Sequence, residues 1–187
     1  MLLWVGSIEE TLFIPRGMER FDVRRGLIKE VDGSGGLPAL AKEFFDHVES
    51  SSGNSFQASH GVMTSIEARY ENGALIVDVT NVPPDFENPE AMKLAMEDRK
   101  RWTAFLDKST GYNSKQRGDK AKEWAKKASK AKSAISAAKH FMEMSESISE
   151  DKKEQADSLI GEIETLLEAN DNTKAAGRAE KLNKLFN

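Results

Sequence analysis

Histidine is the side chain best suited to acid–base or metal chemistry near neutral pH, and this chain has three of them. His47, His60 and His140 are far apart in the sequence and show no spacing typical of a metal-binding motif. Cysteine is absent, which excludes disulfides, thiolate nucleophiles and sulfur-bound metals in this chain. The sequence therefore predicts no metal site, no cofactor and no catalytic residue.

One enzymatic alternative centres on His60, which lies at a predicted strand end and could act as a general base. This alternative, an enzyme or a small-ligand carrier, needs a cavity between sheet and helices that converges on His60, Glu67, Arg69 or Asp78. Ser59 is the direct neighbour of His60 in the chain, which is a poor geometry for activating a serine nucleophile. A structural or solvent-exposed histidine is the simpler interpretation, and we expect that the protein is not an enzyme.

Charge is distributed unevenly along the chain, although the net charge is only −4. The net charge is −9 over residues 1–98, +9 over residues 99–132 and −4 over residues 133–187. A basic helical stripe can neutralise phosphates, with binding that weakens as the salt concentration rises. The candidate nucleic-acid-binding residues of the stripe 108–132 are Lys108, Tyr112, Lys115, Arg117, Lys120, Lys122, Lys126, Lys127 and Lys130.

Two explanations of this stripe stay open. Contact with RNA or DNA would be tolerant of sequence, because no motif for reading bases accompanies the lysines. Alternatively, the lysines face acidic protein surface, either the N-terminal domain or the helices after residue 143. The second explanation is the more ordinary one for a charged helix face.

Helical periodicity dominates the chain after Ser114. Apolar residues at intervals of four and three predict a heptad-like seam on the first helix of this region. An amphipathic helix must cover such a seam, either with its neighbours in the chain or with a second copy. We expect a homo-oligomer, or a protein partner bound through this region. The seam consists of Trp124, Ala128, Ala131, Ile135, Ala138 and Met142.

The remaining pattern predicts an α+β fold. We expect a two-layer antiparallel sheet with helices on one face, in the order β-α-β-β-β-α, in a domain spanning residues 1–113. A C-terminal antiparallel three-helix arm follows over residues 114–187, with a basic first helix and acidic second and third helices. The predicted strands are 2–5, 11–14, 21–26, 56–60, 65–70 and 74–80, and the predicted helices of the domain run from 37 to 48 and from 89 to 110.

Residues 21–132 resemble an archaeal family of small uncharacterised domains. The pattern consists of a basic strand ending in glycine, a helix, three strands, and a helix that closes on a threonine-glycine-aromatic turn. The matching pieces are 21–26, 59–61, 65–80 and 101–112, followed by 113–117. The resemblance implies an α+β architecture and an archaeal origin, but it implies no mechanism.

These observations favour a non-enzymatic interaction or assembly module that associates through its helical arm. The alternatives are a nucleic-acid-associated protein and a ligand-binding protein or enzyme with a pocket near His60. No stretch approaches the roughly 20 apolar residues that a membrane span needs, so we expect no membrane contact. The N-terminal residues also lack a signal-peptide pattern, and we expect a cytoplasmic protein.

Overall fold

A computed structural model describes residues 17–145 and 147–186 of the chain. The strands predicted at 2–5 and 11–14 lie outside the described residues. The chain divides into two compact units, the first ending at Gly118 and the second beginning at Asp119. Within the described residues, no helix is both long enough and apolar enough to cross a membrane.

The first unit contains a five-stranded antiparallel sheet in the order β1-β5-β4-β3-β2. Its inner face carries the alternating apolar residues of the central strands, among them Leu75, Val77 and Val79, which are buried. The α+β prediction is therefore confirmed. The strands are β1 (Gly17–Asp22), β2 (Asp46–Ser52), β3 (Ser55–His60), β4 (Met63–Glu71) and β5 (Ala74–Asn81).

Three helices cover the inner face of this sheet. They share one hydrophobic core with the strands, in which Phe45, Phe56, Trp102 and Phe105 pack with ring centroids 5.0–6.2 Å apart. Such contacts fix ring orientation as well as burying apolar area. The helices are α1 (Leu27–Gly33), α2 (Gly36–Ala41) and α3 (Pro89–Thr110).

The local signals for the β4–β5 hairpin and for the ends of α3 are confirmed. Asn72 and Gly73 both have positive φ, 51° and 76°, as the tight turn between β4 and β5 requires. The Asn88 side chain accepts hydrogen bonds from two backbone N–H groups of the first turn of α3. Gly111 ends α3 in the left-handed conformation, with φ 73°.

The prediction of one helix from Leu37 to Val48 is wrong beyond Ala41. The helix α2 ends there, and Asp46–Ser52 forms the edge strand β2, which the sequence did not predict. Nearly every residue of β2 is exposed, so the strand has no alternating apolar pattern and is held by backbone pairing with β3. The strand predicted at 21–26 is also displaced: β1 spans Gly17–Asp22 and shares only residues 21 and 22 with the prediction, and α1 begins at Leu27 after its N-cap Gly26.

The C-terminal helices are α4 (Ser114–Met144), α5 (Glu150–Glu168) and α6 (Asn172–Leu185). Beyond Gly118 they form the second unit, with a core of its own to which all three helices contribute. The predicted helical arm after the sheet is therefore confirmed. Its buried residues are Ala131, Ala134, Ile135, Ala138, Ala156, Ile160, Ile163, Ala175, Ala179 and Leu182.

Candidate interaction surface

His60 lies between two carboxylates in the first unit. Its Nδ1 is 2.8 Å from Asp46 Oδ2, an ion-pair distance without hydrogen-bond geometry, and its Nε2 is 3.5 Å from Asp98 Oδ1. Asp98 is 7% exposed and accepts a hydrogen bond of 2.9 Å from the Val62 backbone N–H. A Cβ on Gly61 would lie 2.0 Å from Asp98 Oδ2, so this position requires glycine. These contacts fasten the β3–β4 turn to α3.

The other residues proposed for a His60 pocket do not converge on it. Glu67 and Asp78 are paired in register on the outer face of the sheet, whereas Asp98 reaches His60 from α3 on the inner face. Glu67 accepts a hydrogen bond from Gln57. The residues that the structure describes contain no group of three or more histidine, aspartate and glutamate side chains able to hold a metal ion.

A small cavity of about 290 Å³ lies between α1, α2 and α3. Its floor is apolar, formed by Leu27, Val31 and Leu40. Lys108 and Glu43 form an ion pair at its edge. Lys108, the first residue of the predicted nucleic-acid stripe, therefore has a carboxylate partner within the first unit.

The turn between α3 and α4 uses two further residues of that stripe. Arg117 is only 7% exposed, and its guanidinium donates to Asp107, to the Tyr112 carbonyl and to Ser114 Oγ. Tyr112 donates its backbone N–H to Thr110 Oγ1. Arg117 is thus a buried structural residue.

A reciprocal cap begins α4 at this turn. The Asn113 backbone N–H donates to Gln116 Oε1, and the Gln116 backbone N–H donates to Asn113 Oδ1, each at 3.0 Å. Just before the turn, the Tyr70 hydroxyl donates to the Ser109 carbonyl at 2.7 Å. Burial, and secondarily the charge of Asp32, raises the pKa of Tyr70. The threonine-glycine-tyrosine segment therefore ends α3 and leads into the capped start of α4.

Several lysines of α4 also lie near acidic residues of this chain. Lys120 contacts Glu123 at 3.0 Å, and its hydrogen bond lowers the pKa of that carboxyl. Lys130 contacts Glu180 of α6 at 2.8 Å and likewise lowers the pKa of the Glu180 carboxyl. The longer contacts are Lys122 with Asp119 at 4.0 Å and Lys127 with Glu123 at 3.7 Å. Lys115 and Lys126 are exposed.

The predicted seam of α4 is covered within the chain. Ala131, Ile135 and Ala138 are buried against residues of α5 and α6, and Trp124, Ala128 and Met142 are half-buried. The Asn172 amide donates to the Trp124 carbonyl at 3.2 Å, joining the start of α6 to α4. The buried part of the seam therefore contacts helices of the same chain, whereas Trp124 and Ala128 stay partly exposed.

One flank of α4, which overlaps the seam at Trp124 and Ala128, is open to solvent and only shallow. Alanine and serine form its surface, with Trp124 at one end and Lys132 along its length. Lys122 and Lys126 project from neighbouring positions of the same helix. We call this surface the α4 flank; it consists of Trp124, Ala125, Ala128, Ser129, Lys132, Ser133 and Ser136.

Heptad spacing does not predict most of the α4 flank. It finds the residues that become buried, so it identified Trp124 and Ala128 but not the exposed Ala125, Ser129 or Ser133. The available signal was the recurrence of small residues four apart, which on a lysine-rich helix looks like an ordinary solvated face.

Comparison with known families gives one result. The family described as a domain of unknown function (DUF5611) matches residues 18–123. The match covers the first unit and the beginning of α4, and the rest of the arm lies outside it. No curated protein and no solved structure matches the chain.

Proposed function

The chain belongs to the DUF5611 family, whose function is unknown, so we propose a function from the geometry of the chain itself. We propose that it is a non-enzymatic assembly module that binds a second copy of itself through the α4 flank. The α+β unit is then a rigid body, and the helical arm is the element that associates. The archaeal origin and cytoplasmic location expected from the sequence stay predictions.

The observation that carries this proposal is the α4 flank. A shallow, open surface of small side chains lets a second helix approach closely. The half-buried indole of Trp124 provides apolar area at one end of it. Aromatic residues of this kind are typical anchors of protein interfaces.

The composition of the arm core also favours association. Six of its ten buried residues are alanine. An alanine side chain buries little apolar area, and each buried methylene contributes only about 0.8 kcal/mol. The larger apolar side chains packed against this core, among them Leu159, Leu166 and Phe186, are only partly buried, so a second molecule that covers more of the arm adds stability.

Nucleic-acid binding is the less well supported of the two functions considered for α4. Of the eight basic residues in the predicted stripe, six lie within 4.0 Å of a carboxylate of this chain. Each such contact lowers the positive charge available to phosphates. Binding of a short RNA or DNA that drops severalfold between about 50 and 200 mM salt would nevertheless restore this function.

A bulky residue in the α4 flank tests the assembly function. We expect Ser129→Arg to weaken self-association at least about tenfold in sedimentation equilibrium, because the long side chain holds the second helix away. Gln155→Arg is the matched control, since it adds the same charge at an exposed position of α5. Equal dissociation constants for the two variants would contradict the proposed use of the α4 flank.

A further inference from the structure

Resting on the proposed self-association, we infer that the α4 flank of one copy binds the outer face of α5 of the second copy, and that a twofold axis makes the contact reciprocal. We call that surface the α5 face. It consists of Glu154, Asp157, Ser158, Gly161, Thr165 and Glu168.

Helical spacing places the α5 face opposite the buried side of α5. Ala156, Ile160 and Ile163 point into the core of the arm, and the members of the α5 face recur between them at intervals of three and four. All six members are exposed. The α5 face is therefore available to a second molecule.

Gly161 leaves room for a close partner on the α5 face, as Gly118 does on α4 and Gly177 does on α6. Gly161 lies in the middle of α5, where glycine costs about 1 kcal/mol relative to alanine. A Cβ added there would meet nothing within 4 Å, so packing inside the described chain does not require glycine. The missing side chain instead leaves room for an approaching helix, and the small Ser158 and Thr165 extend that room along the α5 face.

Charge selects the α4 flank as the surface that the α5 face meets. The charged members of the α5 face, Glu154, Asp157 and Glu168, are all acids. Lys132 lies in the α4 flank, and Lys126 and Lys122 lie beside it, Lys122 also 4.0 Å from Asp119 of its own helix. Pairing two α4 flanks, or two α5 faces, would bring like charges together, which opposes association.

Symmetry makes this pairing self-consistent. In a twofold dimer the same contact occurs twice, so the α4 flank of each copy binds the α5 face of the other. Both surfaces belong to the second unit, and both are exposed in the single chain. The interface thus contains two α4–α5 contacts between the copies.

Charge reversal on the full chain tests the pairing. One variant carries Lys122→Glu, Lys126→Glu and Lys132→Glu, and the other carries Glu154→Lys, Asp157→Lys and Glu168→Lys. We expect each alone to self-associate at least about tenfold more weakly than the parent, because both contacts then join like charges. An equimolar mixture should regain the dimer mass in light scattering, since both contacts again join opposite charges.

The controls separate charge from folding. Lys152→Glu, Lys181→Glu and Lys184→Glu together change the net charge as much as the first variant does, at exposed arm positions outside the α4 flank. This control should dimerise like the parent. Circular dichroism reports whether each variant keeps its helices, and a chain carrying both reversals should dimerise by itself.

Each outcome decides one claim. A monomeric parent chain would overturn the assembly function itself. A dimer that the lysine reversals weaken and the acid reversals do not would keep the function and overturn the α5 face as partner. Two folded monomeric variants whose mixture fails to associate would also overturn the pairing. A monomeric parent that binds RNA through these lysines would replace both proposals.

Discussion

Arg117 shows how a single residue changes meaning between sequence and structure. The charge pattern grouped it with phosphate-binding lysines, because composition records a charge and not its partners. In the folded chain the planar guanidinium donates in three directions, to Asp107, the Tyr112 carbonyl and Ser114. Arginine suits the turn between α3 and α4 because the N–H donors of its guanidinium are held in a rigid, planar arrangement.

The three hydrogen bonds of the Arg117 guanidinium predict that this residue stabilises the fold. We expect Arg117→Met to lower the free energy of unfolding by about 1–3 kcal/mol, because two buried or half-buried acceptors lose a charged donor. Urea denaturation followed by circular dichroism measures the change. The control Lys115→Met, at an exposed position of the same helix, should change stability by no more than about 0.5 kcal/mol. Equal losses in the two variants would contradict the structural role of Arg117.

Among the secondary-structure elements, those with a strong local signal were predictable. Strand β5 alternates apolar and polar residues, the Asn72-Gly73 turn fixes the β4–β5 hairpin, and Asn88 and Gly111 delimit α3. Strand β2 was not predictable, because pairing with β3 acts through the backbone and leaves no mark on its polar side chains. Residues Phe44, Phe45 and Val48 fit a helical period by spacing alone, which extended the predicted helix too far.

The candidate interaction surface was also only partly predictable from the sequence. The period of α4 revealed which side becomes buried, and Ala131, Ile135 and Ala138 are buried as that period implies. It could not reveal which exposed side binds a partner, because exposed alanine and serine resemble a solvated helix. The outer side of α5 became a candidate only when the structure left open space around Gly161.

A single substitution in α5 should change monomer stability and dimer stability in opposite directions. We expect Gly161→Ala to raise the free energy of unfolding of the monomer by up to about 1 kcal/mol, because alanine favours the helix. The same change should weaken dimerisation, because the new methyl group lies in the proposed contact. Urea denaturation of dilute protein and sedimentation equilibrium measure the two effects.

Gly177→Ala in α6 is the matched control. This glycine also lies within a helix with no atom near an added Cβ, and it lies outside the proposed contact. It should gain helix stability without loss of association. If both variants dimerise like the parent chain, Gly161 does not lie at the interface.

The whole molecule combines an acidic first part, a basic middle and an acidic end. Within the arm, the middle and the end meet as α4 with α5 and α6, and Lys130 with Glu180 and Lys139 with Glu164 pair across the helices. Exposed pairs of this kind contribute only about 0–1 kcal/mol each. The basic side of α4 and the acidic side of α5 therefore remain able to pair with another molecule.

The mass of the full chain in solution tests the central claim most directly. Light scattering over a range of protein concentrations should give a mass approaching twice the 20.8 kDa of one chain, and dilution should move it towards 20.8 kDa. A mass of 20.8 kDa at every concentration would contradict self-association through the arm.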